Sequence, residues 1–194
     1  MLNPKIDDWF KFKGWVPHNY QIELNSKLSN LNSALVIAPT GGGKTLAGFI
    51  PAIADIIEEV PKGLHTLYIS PLKALANDIE RNLEFPIKEM ELDITLETRT
   101  GDTKQSKRNS QKHNPPNFLM TTPESFILML SWETSKKFFS NLKFLIIDEI
   151  HTLFNDKRGD LLSLGISKLR NINSHFKKIG LSATVSDPKT ILLW

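Results

Sequence analysis

Eight consecutive residues, Ala38-Pro39-Thr40-Gly41-Gly42-Gly43-Lys44-Thr45, set three glycines before a lysine and a hydroxyl. Glycines let backbone amides curl around an anion, a lysine in this position bridges terminal phosphates, and the threonine hydroxyl can ligate magnesium. A strand pattern over 34–37 precedes the run, and a helix pattern over 46–59 follows it, stopped by Val60-Pro61-Lys62-Gly63. The helix N-terminus would add its positive dipole end to the loop. Thr40, Gly41, Gly42, Gly43, Lys44 and Thr45 are therefore expected to hold a nucleotide. A glycine-rich turn before a buried helix is the plainer alternative, and Gly-Gly-Gly-Lys-Thr in this context argues against it. The general pattern opens on glycine, whereas here that position is Ala38.

A second constellation follows another apolar run, Phe144-Leu145-Ile146-Ile147, which ends abruptly in Asp148-Glu149-Ile150-His151. Two carboxylates at the end of a buried strand are costly unless they have work there. Asp148 suits holding magnesium together with Thr45, and Glu149 suits orienting and deprotonating the water that attacks a γ-phosphate. His151 alone would read as a structural histidine; as the fourth residue of an acidic box it joins Lys44, Asp148 and Glu149 in the catalytic group, with no metal ligation needed. Helix capping by Asp148 with Glu149 exposed is the competing reading, and the phosphate loop weighs against it.

Both motifs depend on elements that place them. Short apolar runs over 34–37, 66–69, 94–97, 118–120, 144–147 and 178–181 read as strands. Stretches over 46–59, 72–90, 124–130 and 160–172 carry apolar residues at helical spacing. Alternation of this kind predicts an α/β fold of three layers, a mainly parallel central sheet with helices on both faces. Ligands of such sheets bind beyond the carboxyl ends of the strands, and the chemically loaded residues begin there, at Pro39, Ser70, Thr121, Asp148 and Ser182. Residues 103–116 are polar, basic and without periodicity, and read as a surface loop carrying Lys104, Lys107, Arg108, Lys112 and His113. Such a run is ordinarily a solvated face, with electrostatic capture of a polyanion as the alternative.

A length of 194 residues suits one sizeable core rather than two full domains. With 40% hydrophobic and 23% charged residues the chain has the composition of a soluble globular protein. A net charge of +3 leans toward polyanions without deciding anything. The absence of cysteine excludes a disulfide framework, a thiolate metal site and a cysteine nucleophile. No run approaches a membrane span, so a cytoplasmic protein without a membrane partner is expected.

With these residues in hand, the chain resembles superfamily-two helicases of the DEAD/DEAH group, and among them the Lhr-like (large helicase-related) proteins, over residues 9–194. Ser70-Pro71-Leu72-Lys73-Ala74-Leu75-Ala76-Asn77-Asp78-Ile79 looks like motif Ia of that family. Arg99-Thr100-Gly101-Asp102-Thr103 and Thr121-Thr122-Pro123-Glu124-Ser125 resemble its next nucleic-acid motifs, and Ser182-Ala183-Thr184, followed by Val185 and Asp187-Pro188, resembles motif III. The nearest similarity is to bacterial ligase-associated DNA damage response DEXH-box helicases, through Trp9-Phe10 with Gly14-Trp15-Val16-Pro17, Leu64-His65-Thr66-Leu67-Tyr68-Ile69, and Lys157-Arg158-Gly159-Asp160-Leu161-Leu162.

The resemblance implies a RecA-like (P-loop NTPase) domain over 31–194, preceded by a segment over 1–30 whose Gln21 reads adenine. An amide can donate to one edge atom of adenine and accept from its exocyclic amine. Tyr20, Trp15 or Phe12 could stack on the base or simply anchor the segment, and spacing does not choose among them. ATP and Mg2+ are the implied ligands. Ser182 and Thr184 would hydrogen-bond toward His151 and relay the nucleotide state. Pro71, Lys73, Arg99, Gly101, Thr121, Thr122 and Pro123 should line one edge of the sheet away from the phosphate loop, holding single-stranded DNA by its phosphates without reading sequence. RNA would satisfy the same contacts. Family association adds three-prime to five-prime travel, a DNA ligase and a nuclease as partners, and a second RecA-like domain in cis bearing an arginine finger, for which no segment after Thr184 is a candidate. A non-catalytic module binding nucleotide and nucleic acid is the alternative. A phosphate-loop kinase would explain the loop but not the flanking motifs.

Overall fold

The computed structural model describes residues 2–153, 156–184 and 188. Val185, Asp187 and Trp194, which the resemblance includes, lie outside the described residues. Two helices, α1 (Pro4–Phe12) and α2 (Asn19–Lys27), lead into β1 (Ser33–Ile37) and α3 (Lys44–Glu58). The chain continues through β2 (Thr66–Ile69), α4 (Lys73–Glu89), β3 (Leu96–Arg99), α5 (Gln105–His113), β4 (Phe118–Thr121) and α6 (Pro123–Leu130). A short α7 (Ser135–Phe139), β5 (Phe144–Ile147), α8 (Ile150–Leu153), α9 (Lys157–Ile172) and β6 (Lys177–Ser182) follow.

All six strands run parallel in the order β1-β6-β5-β2-β4-β3. The strands β2, β4 and β5 are buried at every position, as the continuous apolar runs of a sheet covered on both faces require. Side chains alternate across each strand. Tyr68, Phe118, Met120, Ile146, Ile179 and Leu181 point into a core shared with α1 to α4. Leu67, Ile69, Leu119, Leu145 and Ile147 point into the other, with α6 to α9. Ile6, Trp9, Phe10, Leu24 and Leu28 bring α1 and α2 into the first core. Each large apolar side chain fully withdrawn from water contributes about 1.5–3 kcal/mol, so these five residues anchor the leading helices to the sheet.

Two expectations are corrected. The third strand lies two residues later than 94–97, because parallel pairing aligns Leu96 with Phe118 and Arg99 with Thr121. Thr95 is fixed instead by the Asn117 side chain, whose Oδ1 accepts from its backbone N–H at 2.8 Å. Residues 103–116 contain α5 rather than only a loop. That helix buries Gln111 alone, and it docks through polar groups, so its sequence shows no apolar stripe. Gln111 Nε2 donates to Glu97 Oε2 at 2.7 Å and to the Thr98 carbonyl at 3.1 Å.

The strand order divides the carboxyl edge of the sheet. The chain leaves β1, passes over two places and enters β2, so β6 and β5 lie between them. One half of the edge carries the ends of β1, β6 and β5, and the other the ends of β2, β4 and β3.

Candidate functional site

On the first half, residues 39–43 leave β1 and fold over the start of α3. Gly41 and Gly43 take left-handed φ angles of 79° and 73°, a region open to glycine at little cost. Gly43 is doubly constrained, since a Cβ there would stand 2.9 Å from Gln21 Nε2. Thr40 and Gly41 are exposed and Thr45 partly so, leaving the loop accessible to an anion. Lys44 opens α3, is only 6% exposed, and reaches Glu149 Oε1 at 3.3 Å.

The same half brings in the acidic box from the end of β5. Asp148 is buried; its Oδ1 accepts from the Glu149 backbone N–H at 2.9 Å and its Oδ2 from the Tyr68 hydroxyl. Burial raises the Asp148 carboxyl above its usual range, opposed by the Tyr68 and Glu149 hydrogen bonds and by Lys44. Burial, reinforced by Asp148, pushes the Tyr68 phenol far up, so it remains a donor. Glu149 has a φ of 46°, an uncommon value for a residue with a side chain. That turn sets its carboxylate between Lys44 and His151, whose Nδ1 is 3.4 Å from Glu149 Oε2.

His151 Nδ1 also lies 2.9 Å from Ser182 Oγ at the end of β6, while the Ser182 hydroxyl donates to the Thr184 carbonyl at 2.8 Å. With its proton committed to Thr184, Ser182 accepts from His151, which puts the ring proton on Nδ1. Thr184 thus enters this chain of contacts through its backbone.

Gln21 is buried beneath the loop. Its Oε1 accepts from the His18 N–H at 2.8 Å and its Nε2 donates to the Gly43 carbonyl at 3.1 Å. One N–H and one lone pair of the amide remain for a base. Tyr20 donates to the Gly42 carbonyl and stacks on His18, with ring centroids 5.3 Å apart. Trp15, 53% exposed, lines a cavity of about 520 Å³ with Lys13, Gly43 and Thr45, whereas Phe12 faces solvent elsewhere.

On the other half of the edge, Pro71, Thr121, Thr122 and Pro123 are buried, and Lys73 and Gly101 are exposed. Thr121 donates to the Arg99 carbonyl at 2.8 Å, and Thr122 caps α6. Lys73 pairs with Asp102 at 2.8 Å. The Arg99 guanidinium turns away from this group. It donates to the Arg108 carbonyl at 2.9 Å and lies 4.6 Å from the Trp132 ring centroid, and burial, then Arg108, lowers its pKa to about 10.

Tyr68 and Arg158 make contacts at the two halves of the edge that no sequence motif marks. Arg158 donates to Glu124 Oε1 at 2.6 Å and to the Pro71 carbonyl at 2.7 Å, tying α9 to both neighbouring motifs. Tyr68 had one readable signal, since a phenol inside an apolar strand needs a partner.

A divalent cation fits the first half. Among the described residues no group of three or more His, Asp or Glu side chains forms a protein cage. Magnesium in ATPase sites is held by one or two carboxylates and the substrate's own phosphates, and a single buried carboxylate, Asp148, at the end of β5 on the half of the edge that carries the phosphate loop suits that pattern. Among the described residues no helix is long and apolar enough to cross a membrane.

Comparison with known proteins shows the family and the fold. The family model of DEAD/DEAH box helicases matches residues 18–191. The Lhr helicase/probable uracil glycosylase of Mycolicibacterium smegmatis is 39% identical over 198 residues, covering 95% of this chain and 13% of that protein. The ATP-dependent helicase Lhr-Core of Methanothermobacter thermautotrophicus is 37% identical over 202 residues, covering 95% and 23%. The solved structure of Mycobacterium smegmatis helicase Lhr bound to ssDNA and AMP-PNP superposes with a TM-score of 0.91 at 38% identity, over 98% of this chain and 26% of that one. The chain thus spans about a quarter or less of the length of these relatives.

Proposed function

The chain belongs to the DEAD/DEAH box helicase family, and from that premise we propose that it is the first of two RecA-like domains in an Lhr-like, ATP-dependent DNA helicase or translocase. The observation that carries this reading is the meeting of Lys44 and Glu149, residues from two motifs 105 positions apart, at 3.3 Å across the carboxyl edge of the sheet. Without nucleotide the two neutralise each other. An incoming γ-phosphate takes Lys44 and releases Glu149 to orient a water and accept its proton. His151, bridging Glu149 and Ser182, transmits the change to β6. Asp148 and Thr45 would hold magnesium together with the phosphates, and the ion would supply charge neutralisation at the transferring group. Residues 1–30 contribute Gln21 to the adenine, Trp15 stacks on the base, a reading supported by the cavity it lines with Gly43 and Thr45, and residues 31–194 form the catalytic body.

Single-stranded DNA lies along the ends of β2, β4 and β3. Lys73 and Gly101 face it directly, and Pro71, Thr121, Thr122 and Pro123 act through backbone groups and the N-terminus of α6. The single-stranded DNA and AMP-PNP held by the mycobacterial Lhr support both halves of the assignment. A second RecA-like domain in cis closes the cleft with its arginine finger, worth about 10³ to 10⁵ in rate in related enzymes. We further propose a cytoplasmic role in DNA repair alongside a ligase and a nuclease.

ATP turnover with and without single-stranded DNA tests the reading. The 194-residue chain should hydrolyse ATP weakly, and the same chain followed by a second RecA-like domain should be stimulated by DNA. Efficient unwinding by the chain alone, or two-domain turnover indifferent to DNA, would overturn it.

A further inference from the structure

Tyr68 is fully buried at the third position of β2. Its ring stacks on Phe49 with centroids 5.4 Å apart. Packing alone does not account for a phenol there, since phenylalanine would fill nearly the same volume without a polar group to satisfy. The hydroxyl is accounted for by its partner. Parallel pairing sets Ile69 beside Ile147, so the acidic box emerges one strand away, and Tyr68 donates to Asp148 Oδ2. The other oxygen, Oδ1, accepts from the Glu149 backbone at 2.9 Å. Both carboxylate oxygens are anchored, and rotation of the group would break both hydrogen bonds.

We propose that Tyr68 is a positioning residue that fixes the orientation in which the Asp148 carboxylate receives the magnesium of Mg-ATP. The inference rests on the proposed function, which puts Asp148 next to the metal. Groups that hydrogen-bond to metal-ligating side chains typically contribute 10- to 100-fold to metal affinity.

The test is a Mg2+ titration of fluorescent ATP-analogue binding to wild-type chain and to Tyr68→Phe, with thermal melting to verify folding. The Mg2+ midpoint of Tyr68→Phe should rise about tenfold or more, with affinity for the analogue in EDTA unchanged. An unchanged midpoint overturns the assignment, as does an equal loss of affinity in EDTA. A wild-type chain whose binding ignores Mg2+ would overturn the proposed function and this inference together. A second measurement keeps the Tyr68 hydroxyl in place. The chain has two tyrosines, so 3-fluorotyrosine gives two ¹⁹F resonances, assigned with Tyr20→Phe. The Tyr68 resonance should shift when Mg2+ is added to nucleotide-bound chain; a Tyr68 resonance that does not move overturns the inference.

Discussion

Gln21 Nε2 donates to the Gly43 carbonyl at 3.1 Å, which ties the start of α2 to the phosphate loop whatever base is bound. A glutamine that only read adenine would leave other nucleotides untouched when removed. The observed contact predicts otherwise. Gln21→Ala should weaken GTP as well as ATP, the base-independent loss being about tenfold, the equivalent of one ordinary hydrogen bond in a buried site, and the loss of ATP larger by whatever the adenine contact adds. Competition binding with both triphosphates checks this, and a loss confined to ATP would show that the contact to Gly43 carries no weight.

Lys73 and Asp102 form an exposed pair at 2.8 Å on the proposed nucleic-acid edge. A phosphate must compete with Asp102 for this lysine. Asp102→Asn should therefore tighten single-stranded DNA binding, while Lys73→Ala should weaken it uniformly across sequences and flatten the slope of log K against log salt by about 0.7. Anisotropy titrations over a salt series measure both. Parallel salt slopes for wild type and Lys73→Ala would remove Lys73 from the interface.

Asp55 Oδ2 lies 2.9 Å from His65 Nε2 and 2.8 Å from Lys143 Nζ, joining α3 to the starts of β2 and β5. The His65 hydrogen bond, with help from Lys143 and against partial burial, holds the Asp55 carboxyl below its ordinary range. A carboxyl depressed in the folded state stabilises it above the unfolded pKa, and that contribution fades as pH falls through the folded value. Asp55→Asn should thus cost about 1 kcal/mol at pH 7, with the gap to wild type closing below about pH 4. Urea unfolding at pH 7 and pH 3 measures it, and a gap independent of pH would contradict the account.

Gly165 of α9 packs tightly against α6. A Cβ there would meet Ile127 Cδ1 at 2.4 Å and Phe126 Cε1 at 2.9 Å. Ile127 can turn aside, but Phe126 is fully buried. Gly165→Val should lower stability by about 2–3 kcal/mol through overpacking, outweighing the helix propensity gained. A thermal melt at or above that of wild type would show that the helices separate freely.

How far these features could be read in advance depended on whether their causes were local. The phosphate loop and acidic box are consecutive residues behind apolar runs, so their places at the ends of β1 and β5 were legible from types and order. The strands Thr66–Ile69 and Phe144–Ile147 matched expectation because runs buried on both faces belong in the middle of a sheet. Strand β3 was displaced because its limits come from pairing with β4 and from Asn117, a residue 22 positions beyond Thr95. Helix α5 escaped notice because its docking residue is a glutamine, which apolar periodicity cannot register. The turning of Arg99 onto Trp132, and the contact of Tyr68 with Asp148, join residues 33 and 80 positions apart and exist only once the sheet is assembled.

Binding of ATP through the loop at 38–45 is measured by calorimetric titration of AMP-PNP in Mg2+ into wild-type chain and Lys44→Ala. Wild type should bind saturably, with affinity weakened about 10- to 100-fold in Lys44→Ala, the value of a hydrogen bond to a charged group. Equal affinity in the two proteins would contradict it.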